Sequence, residues 1–387
     1  MLSLENIANL ALRKYLSSLS PTKKHQTTMA SSTGFAEPNG SQQPELDQMQ
    51  QASPLDATKA LDIRDIRRAV PKHCFDPSLK LTLFYIVSDI CTSFFLFYLA
   101  SYIPLVPDCW IRLALWLIVG FVQGLVFTGI WILAHECGHG ALFKSKVAND
   151  SVGFILHSFL LVPFFSWKFS HSRHHRYANH MEKDTAFVPD VGKQSTWRWK
   201  TSRLLGVAED SPILAAIILV GHQLLGWPLY MLFYITSGVD SAPGEEKDFL
   251  RSHFDPHSGV FTPKEHPYIL ISDLGILGMA SVLWYFAQNL GYSFVLMAYG
   301  IPYLWVNHWI VAITFLHHTH ESVPHFKASK WTFVDGALST VDRDFGFIGR
   351  FFFHGIIEFH VVHHLFSRIP FYHAEEATEA IKNVLVA

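Results

Sequence analysis

The sequence predicts an all-α integral membrane protein, with four transmembrane helices in two hairpins and a helical cytosolic cap that gathers histidines. Three observations predict it. Hydrophobic residues make up 50% of the 387-residue chain and charged residues only 16%, against about 25% charged in an ordinary soluble domain. Four apolar stretches, 81–103, 111–134, 268–289 and 293–316, reach the roughly 20 residues that a helix needs to cross a bilayer. Finally, 23 histidines crowd beside these stretches, and histidine is both the commonest metal ligand and the side chain that titrates nearest neutral pH.

Taken in chain order, residues 1–62 read as a disordered tail, rich in Ser, Gln, Pro and Gly between Ser31 and Pro54. The first 20 residues could instead form a short amphipathic targeting helix, a reading that Glu5 opposes. A membrane domain follows over 63–387. The spans pair through short connections, 104–110 and 290–292, so each pair is a hairpin. The long segment 135–267 is rich in Lys and Arg, which places it and both chain ends in the cytosol. Two further apolar runs, 152–167 and 212–235, are expected to lie in the interface or to dip and return. Net charge is −2, which excludes nucleic-acid binding through a basic field. Cys74, Cys91, Cys109 and Cys137 form no disulfide framework, and Cys91, inside an apolar run, is expected to be buried.

Three histidine clusters carry the chemistry. His135 and His139 are four apart in HECGH; His171, His174 and His175 form HSRHH; His360, His363 and His364 form HVVHH. Residues three and four apart share a helix face, so each cluster can aim its imidazoles at one point. Ionisable groups at a membrane margin mark function by default, although a single histidine there is readily explained as an interfacial hydrogen-bonding group.

HECGH alone satisfies the zinc-metalloprotease pattern, with Glu136 as general base. A catalytic zinc takes three protein ligands, however, and HSRHH and HVVHH would then be idle. Eight clustered imidazoles suit two metals of higher coordination number, and imidazole accepts Fe, Cu, Zn or Ni. A non-enzymatic metal carrier would spread its ligands along a path at mid-membrane depth; here they gather at span ends. Convergence also requires an even number of crossings between clusters, which favours four spans over five.

The order HECGH, HSRHH, HVVHH resembles the membrane fatty acid desaturases, most of all the Δ12 (oleate) acyl-lipid desaturases and their hydroxylase and acetylenase relatives. AVPKHCF (69–75), KDTAFVP (183–189), HHTHESVPHF (317–326), GALSTVDRDFG (336–346) and RIPFYHAEEATEAIK (368–382) strengthen the likeness, which covers residues 63–382. It implies a di-iron centre, with O2 as co-substrate, held by His135, His139, His171, His174, His175, His360, His363 and His364. A ninth ligand is expected just after the fourth span, at His318; His317 stands where glutamine is usual, which leaves His317 and His320 as alternatives. Glu136, Asp184, Asp344 and Glu358 are candidates to orient the ligands, or else are surface and capping carboxylates.

The implied reaction introduces a double bond into an acyl chain carried on phosphatidylcholine or coenzyme A, at the endoplasmic reticulum membrane. Cytochrome b5 is implied as a separate electron donor, since the chain has no H-P-G-G haem signature. Lys144, Lys146, Lys168, Arg173 and Arg176 could meet that donor or lipid head groups, or simply reflect the positive-inside bias. Phe164, Phe165, Trp167, Trp305, Phe315 and Phe359 are candidates for the wall of an acyl tunnel. Two departures bear on the product: Gly140 follows box one where His or Gln is common, and Phe359 replaces a common threonine beside His360. Hydroxylation or acetylenic-bond formation are therefore open. Relatives usually continue beyond the position of Ala387, so the chain reads as a fragment or as an active enzyme.

Overall fold

The computed structural model describes residues 62–189, 211–244, 251–320 and 322–386. The expected tail therefore lies outside the described residues, apart from Asp62. Its carboxylate accepts from the Arg64 N–H and caps α1 (Ile63–Ala69).

Capping residues set where the long helices begin. Ser78 accepts from Leu81 N–H at the start of α2 (Leu79–Ala100). Asp108, at the start of α3 (Cys109–His139), accepts from Trp110 and Ile111. Such caps satisfy N–H groups that a helix cannot pair internally. Asp108 is thus a helix cap, which accounts for a lone acid in an otherwise apolar connection. Cys91 on α2 is exposed, contrary to expectation: apolar residues of an outer span face the lipid, so an apolar run does not imply burial within the protein.

At 1.5 Å per residue, the 31 residues of α3 extend about 46 Å, beyond a hydrocarbon slab of about 30 Å. The surplus of about 16 Å, or about three turns, is more than enough to carry HECGH. The helix stops at Gly140, whose φ of 72° is left-handed. Its N–H bonds Cys137 O, and the Ala141 N–H bonds Glu136 O. Only glycine adopts this conformation without strain.

Beyond Gly140, α4 (Lys146–Phe159) and α5 (Phe164–Arg176) meet at 109°. The turn between them contains Pro163, which cannot supply an N–H to continue a helix. The apolar run 152–167 is therefore a corner and not one straight element. Then come α6 (Pro212–Phe233), α7 (His266–Leu290), α8 (Tyr292–His318, with a π-helical turn at Leu296–Gly300), α9 (Phe333–Leu338), α10 (His360–Leu365) and α11 (Ala374–Val386). The described residues contain no strand, only the isolated bridge between His180 and Phe326.

Five helices are long and apolar enough to cross a membrane, the four expected plus Pro212–Phe233. The main core is built on the buried face of α3: Phe127, Ile130 and Leu133 pack with Leu160 and with Val306 and Ile310 of α8. Outward faces of α2, α6 and α7 remain apolar, with Phe94 at 68% exposure, Ile213 at 76% and Leu274 at 67%. Apolar surface this extensive marks a lipid contact. A second, separate core lies under the cap. There Ile66, Val70 and Cys74 pack with Val361, Val362 and Leu365 of α10 and with Ala377 and Ile381 of α11.

Candidate metal centre

Three distant pieces of sequence meet at one place. Box one ends α3, box two occupies the second half of α5, and box three is most of α10. Nε2 of His135 lies 2.9 Å from Nε2 of His171 and 3.3 Å from Nε2 of His139, and Nε2 of His171 lies 3.0 Å from Nε2 of His175. With His363 these four form one group whose ligand atoms lie within 4.8 Å of one another. His174, His318 and His364 form a second such group. His360 adjoins it, with Nε2 at 3.1 Å from Nε2 of both His318 and His364. The two groups abut where the His175 and His364 rings stack, centroids 4.1 Å apart.

These distances test whether metal ions fit. Two metal–nitrogen bonds of about 2.1 Å at right angles put the nitrogens about 3.0 Å apart, and a tetrahedral arrangement puts them about 3.4 Å apart. The observed edges fall in that range. They are too numerous to be hydrogen bonds, because a neutral imidazole has one donor and one acceptor. Burial disfavours the charged form, and it holds the box-three histidines well below the usual imidazole range, His363 down to about 3. The box-three imidazoles are therefore held neutral and able to ligate. The residues present fit a pair of metal ions with nitrogen ligands.

Small residues and aromatic rings set these rings in place. Gly138 is glycine because a Cβ there would lie 2.9 Å from the Trp167 ring. Trp167 in turn stacks on His171 at 4.3 Å and 21°. Asp184 accepts from His174 Nδ1–H at 2.7 Å, and its second oxygen accepts from Asn179 N–H at 2.9 Å. Glu136 is fully buried. Its Oε1 lies 3.2 Å from His135 Nδ1 and 3.5 Å from His363 Nδ1, without the alignment of a hydrogen bond. Glu136 therefore stands behind the imidazoles, on the side away from the converging Nε2 atoms. A metalloprotease base must face the metal-bound water, so the HECGH protease reading has no support.

The two remaining acids sit elsewhere. Asp344 is exposed and accepts from Gly346 N–H at 2.7 Å; it shapes a turn. Glu358 accepts from Phe345 N–H at 3.1 Å, bracing the chain before box three, with no described contact to a ligand ring. The acid at the head of box three is Asp342, which the sequence reading missed. It accepts from Val361 N–H at 2.8 Å, and burial pushes its carboxyl up to about 7. Of the three histidines near the end of α8, His318 joins the cluster. His317 has Nδ1 2.5 Å from Ile313 O and Nε2 3.0 Å from Ile357 O, so both its nitrogens face backbone carbonyls. His320 receives the Ser322 N–H at 3.1 Å.

A cavity of about 180 Å³ opens against the cluster. Its apolar wall includes Trp131, Trp167, Trp227, Ile310, Val311 and Phe315, and His135, His171, His174, His318 and His360 reach into it. Phe164, Phe165, Trp305 and Phe359 are not on this wall. Phe359 packs into the cap core instead, with the Arg350 guanidinium 6.0 Å from its ring centre. The basic face is largely paired. Lys146 and Lys168 share Asp150, and Arg173 turns inward to Glu265 at 3.9 Å. Lys144 lies 3.8 Å from Asp76 but remains 77% exposed.

An all-helical protein with apolar outer faces and two adjoining histidine groups beside an apolar cavity is a membrane-bound metal-site protein. A profile described as fatty acid desaturase matches residues 110–387, more than half of the chain. An oleate hydroxylase of Claviceps purpurea is 44% identical over 338 residues, covering 84% of this chain and 71% of that protein. A delta(12)-oleate desaturase of Trichosanthes kirilowii is 44% identical over 324 residues, covering 84% of each chain. A delta(12)-fatty-acid desaturase of Arabidopsis thaliana is 41% identical over 324 residues, covering 84% of this chain and 80% of that protein. The chain belongs to the fatty acid desaturase family, and so among the oxidoreductases of lipid metabolism.

Proposed function

We propose that the protein is a non-haem di-iron, O2-dependent desaturase that introduces the Δ12 double bond into an oleoyl chain held on a lipid. The observation that carries this is the convergence of nine imidazoles in two adjoining groups beside an apolar cavity. His135, His139, His171, His175 and His363 would hold one iron; His174, His318, His360 and His364 would hold the other. When bound, the metal pair supplies the oxidising power that lets O2 and two electrons remove two hydrogens from an unactivated chain, with water as the other product, chemistry beyond any side chain.

The remaining work belongs to the protein. The indoles of Trp131, Trp167 and Trp227 exclude water and receive the acyl chain by burial of apolar surface. Asp184 holds His174 in the tautomer that presents Nε2. His317, by gripping the Ile357 carbonyl, sets the distance between the end of α8 and box three.

Four crossings are supported by a parity argument. Val188 N–H bonds Thr236 O at 2.8 Å, so the chain returns to the same place on leaving α6. A single crossing by α6 would need a second within residues 190–210. That segment contains Lys193, Arg198, Lys200, Arg203 and Glu209, too many charges for a span. We therefore read α6 as lying along the membrane interface, with the three boxes and both termini cytosolic. In the endoplasmic reticulum that face meets cytochrome b5, the proposed donor, and phosphatidylcholine or acyl-CoA.

The likeness to the Claviceps purpurea hydroxylase favours one second reading, insertion of oxygen at the same carbon. Both readings meet one test. Expression in a yeast that makes no polyunsaturated lipid, followed by gas chromatography–mass spectrometry, should yield linoleate. Hydroxy acid would redirect the assignment to hydroxylation. Absence of any new fatty acid, with iron-loaded protein present in the membrane, would remove both.

A further inference from the structure

A second constellation of metal-binding side chains lies outside the histidine boxes. His73 and Cys74 belong to a short 3-10 turn (Lys72–Phe75) that follows α1. His373 ends another such turn (Phe371–His373), and Glu376 lies in the first turn of α11. One ligand atom from each of the four lies within 4.8 Å of the others. His73 Nε2 is 2.8 Å from Glu376 Oε2 and 3.8 Å from Cys74 Sγ. The His73 and His373 rings meet edge-on, with centroids 5.6 Å apart.

We propose that these four side chains form a site for one zinc ion that clasps the segment after α1 to the C-terminal helix. Zinc takes four ligands tetrahedrally from Cys, His and carboxylate, with bonds of about 2.0–2.3 Å and hence ligand–ligand edges of about 3.3–3.7 Å. The set here is Cys, His, His, Glu, which includes every kind of ligand that zinc accepts. Closing it needs the His73–Glu376 edge to open by about half an ångström, and no other edge, all being within 4.8 Å, to shorten by more than about one. Both shifts are within reach of the side chains, because His73 and Glu376 are half-exposed, at 59% and 50%. The Cys74 thiol bonds the Glu376 carboxylate and the His373 ring packs on His73, so all four side chains already face one another. Cys74 is buried, but His73 and Glu376 keep the site open to solvent for ion entry. On binding, the Cys74 thiol would give its proton to water and ligate as thiolate.

The placement gives the clasp a purpose. Residues 73 and 376 are 303 positions apart in sequence. Both belong to elements that cover the cap core, into which α10 packs Val361, Val362 and Leu365 from the back of box three. Fixing α11 against the segment after α1 holds that backing in place. The site is all-cap and lies on the chain's own cytosolic pieces, separate from the nine imidazoles.

Cobalt(II) tests the proposal with a signal that the histidine boxes cannot produce. Added to the purified 387-residue protein in detergent, Co2+ should give a thiolate-to-cobalt charge-transfer band in the near ultraviolet, because among the described metal-binding groups only this one contains a cysteine. One equivalent of Zn2+ should bleach the band. Cys74→Ser should abolish it. Cys137→Ser should leave it, since Cys137 faces Gly153 on α4. Because Cys74 is buried and its variant risks misfolding, the exposed variants His73→Asn and Glu376→Gln carry the decision. Each should lose zinc, measured by elemental analysis, while keeping wild-type iron content. No charge-transfer band in the wild-type chain, a band that survives Cys74→Ser, or wild-type zinc retention in both exposed variants would each overturn the site. Iron content is read independently, so failure here leaves the histidine centre untouched.

Discussion

Asp184→Asn is the sharpest test of how the protein tunes its metal centre. Asp184 is 1% exposed. One of its oxygens takes His174 Nδ1–H at 2.7 Å and Ala186 N–H at 2.9 Å; the other takes Asn179 N–H at 2.9 Å. An asparagine keeps the shape but has only one accepting oxygen. Whichever way the amide turns, its NH2 opposes a donor, either Asn179 N–H or the His174 ring. Losing such an orienting partner costs about 10–100-fold in metal affinity, or about 1.4–2.8 kcal/mol at 1.4 kcal/mol per decade. The assay is iron retained per chain at a chelator setting where wild type keeps half. A tenfold weaker site would then hold about 9%, and a hundredfold weaker one about 1%. Asp344→Asn, at an exposed turn, serves as control and should retain iron as wild type does. Equal retention in Asp184→Asn and wild type, at equal protein yield, would refute the orienting role.

Four further outcomes follow from the geometry. His363→Ala should abolish product while the protein still accumulates; persistent product would strike His363 from the ligand set. His318→Ala should lower iron content, whereas His317→Gln, whose amide can still donate to a backbone carbonyl, should keep it; the reverse ranking would exchange their roles. Phe315 is 46% exposed at the cavity wall, so Phe315→Ala should alter chain-length preference at a stability cost below about 1 kcal/mol, small beside the 3–5 kcal/mol of a buried aromatic. His253 is buried, Nε2 2.9 Å from Ser170 Oγ, and burial pushes its imidazole down to about 3. A base whose pKa is depressed by folding contributes stability that is present above the unfolded value of about 6.5 and is lost as pH falls toward 3. At pH 5 the loss is about 2 kcal/mol. His253→Gln should therefore flatten the acid limb of the melting-temperature profile, and parallel profiles for variant and wild type would refute this.

Much of this site is legible in sequence because its logic is local. Spacings of three and four fix which side chains share a helix face, so each box could be seen to converge on a point. The three boxes could be joined because their order resembles a family. The carboxylates were harder. Asp184 and Asp344 look alike in sequence, both close to metal-binding stretches. Which of them orients a ligand depends on the turn at Asn179 and on the Gly346 N–H, and both are tertiary facts. Asp342 gave no signal, since it works through the backbone of Val361, 19 positions away. Length alone leaves the path of 212–235 open, and the proposal that it stays on one side rests on the meeting of Val188 with Thr236, a tertiary contact.

Phe359 shows how adjacency in sequence fails as a guide to adjacency at the reacting carbon. It precedes His360, yet the helix that begins there turns its side chain to the opposite side, into the cap core beside Arg350. A ring in place of a smaller residue at 359 therefore acts on the tilt and packing of α10, and on the acyl chain only through the positions of His360 and His364. The groups on the cavity wall lie mainly on α3, α5, α6 and α8, and α10 contributes only His360. Whether the product is an alkene or a hydroxy acid should thus respond to both places in different ways. Phe359→Thr should shift the ratio of products without changing chain-length preference, because it moves His360 and His364 and leaves the apolar wall of the cavity in place. Phe315→Ala should do the opposite. If Phe359→Thr altered chain length and left the product ratio fixed, the ring would have to reach the cavity, and the assignment of Phe359 to the cap core would be wrong.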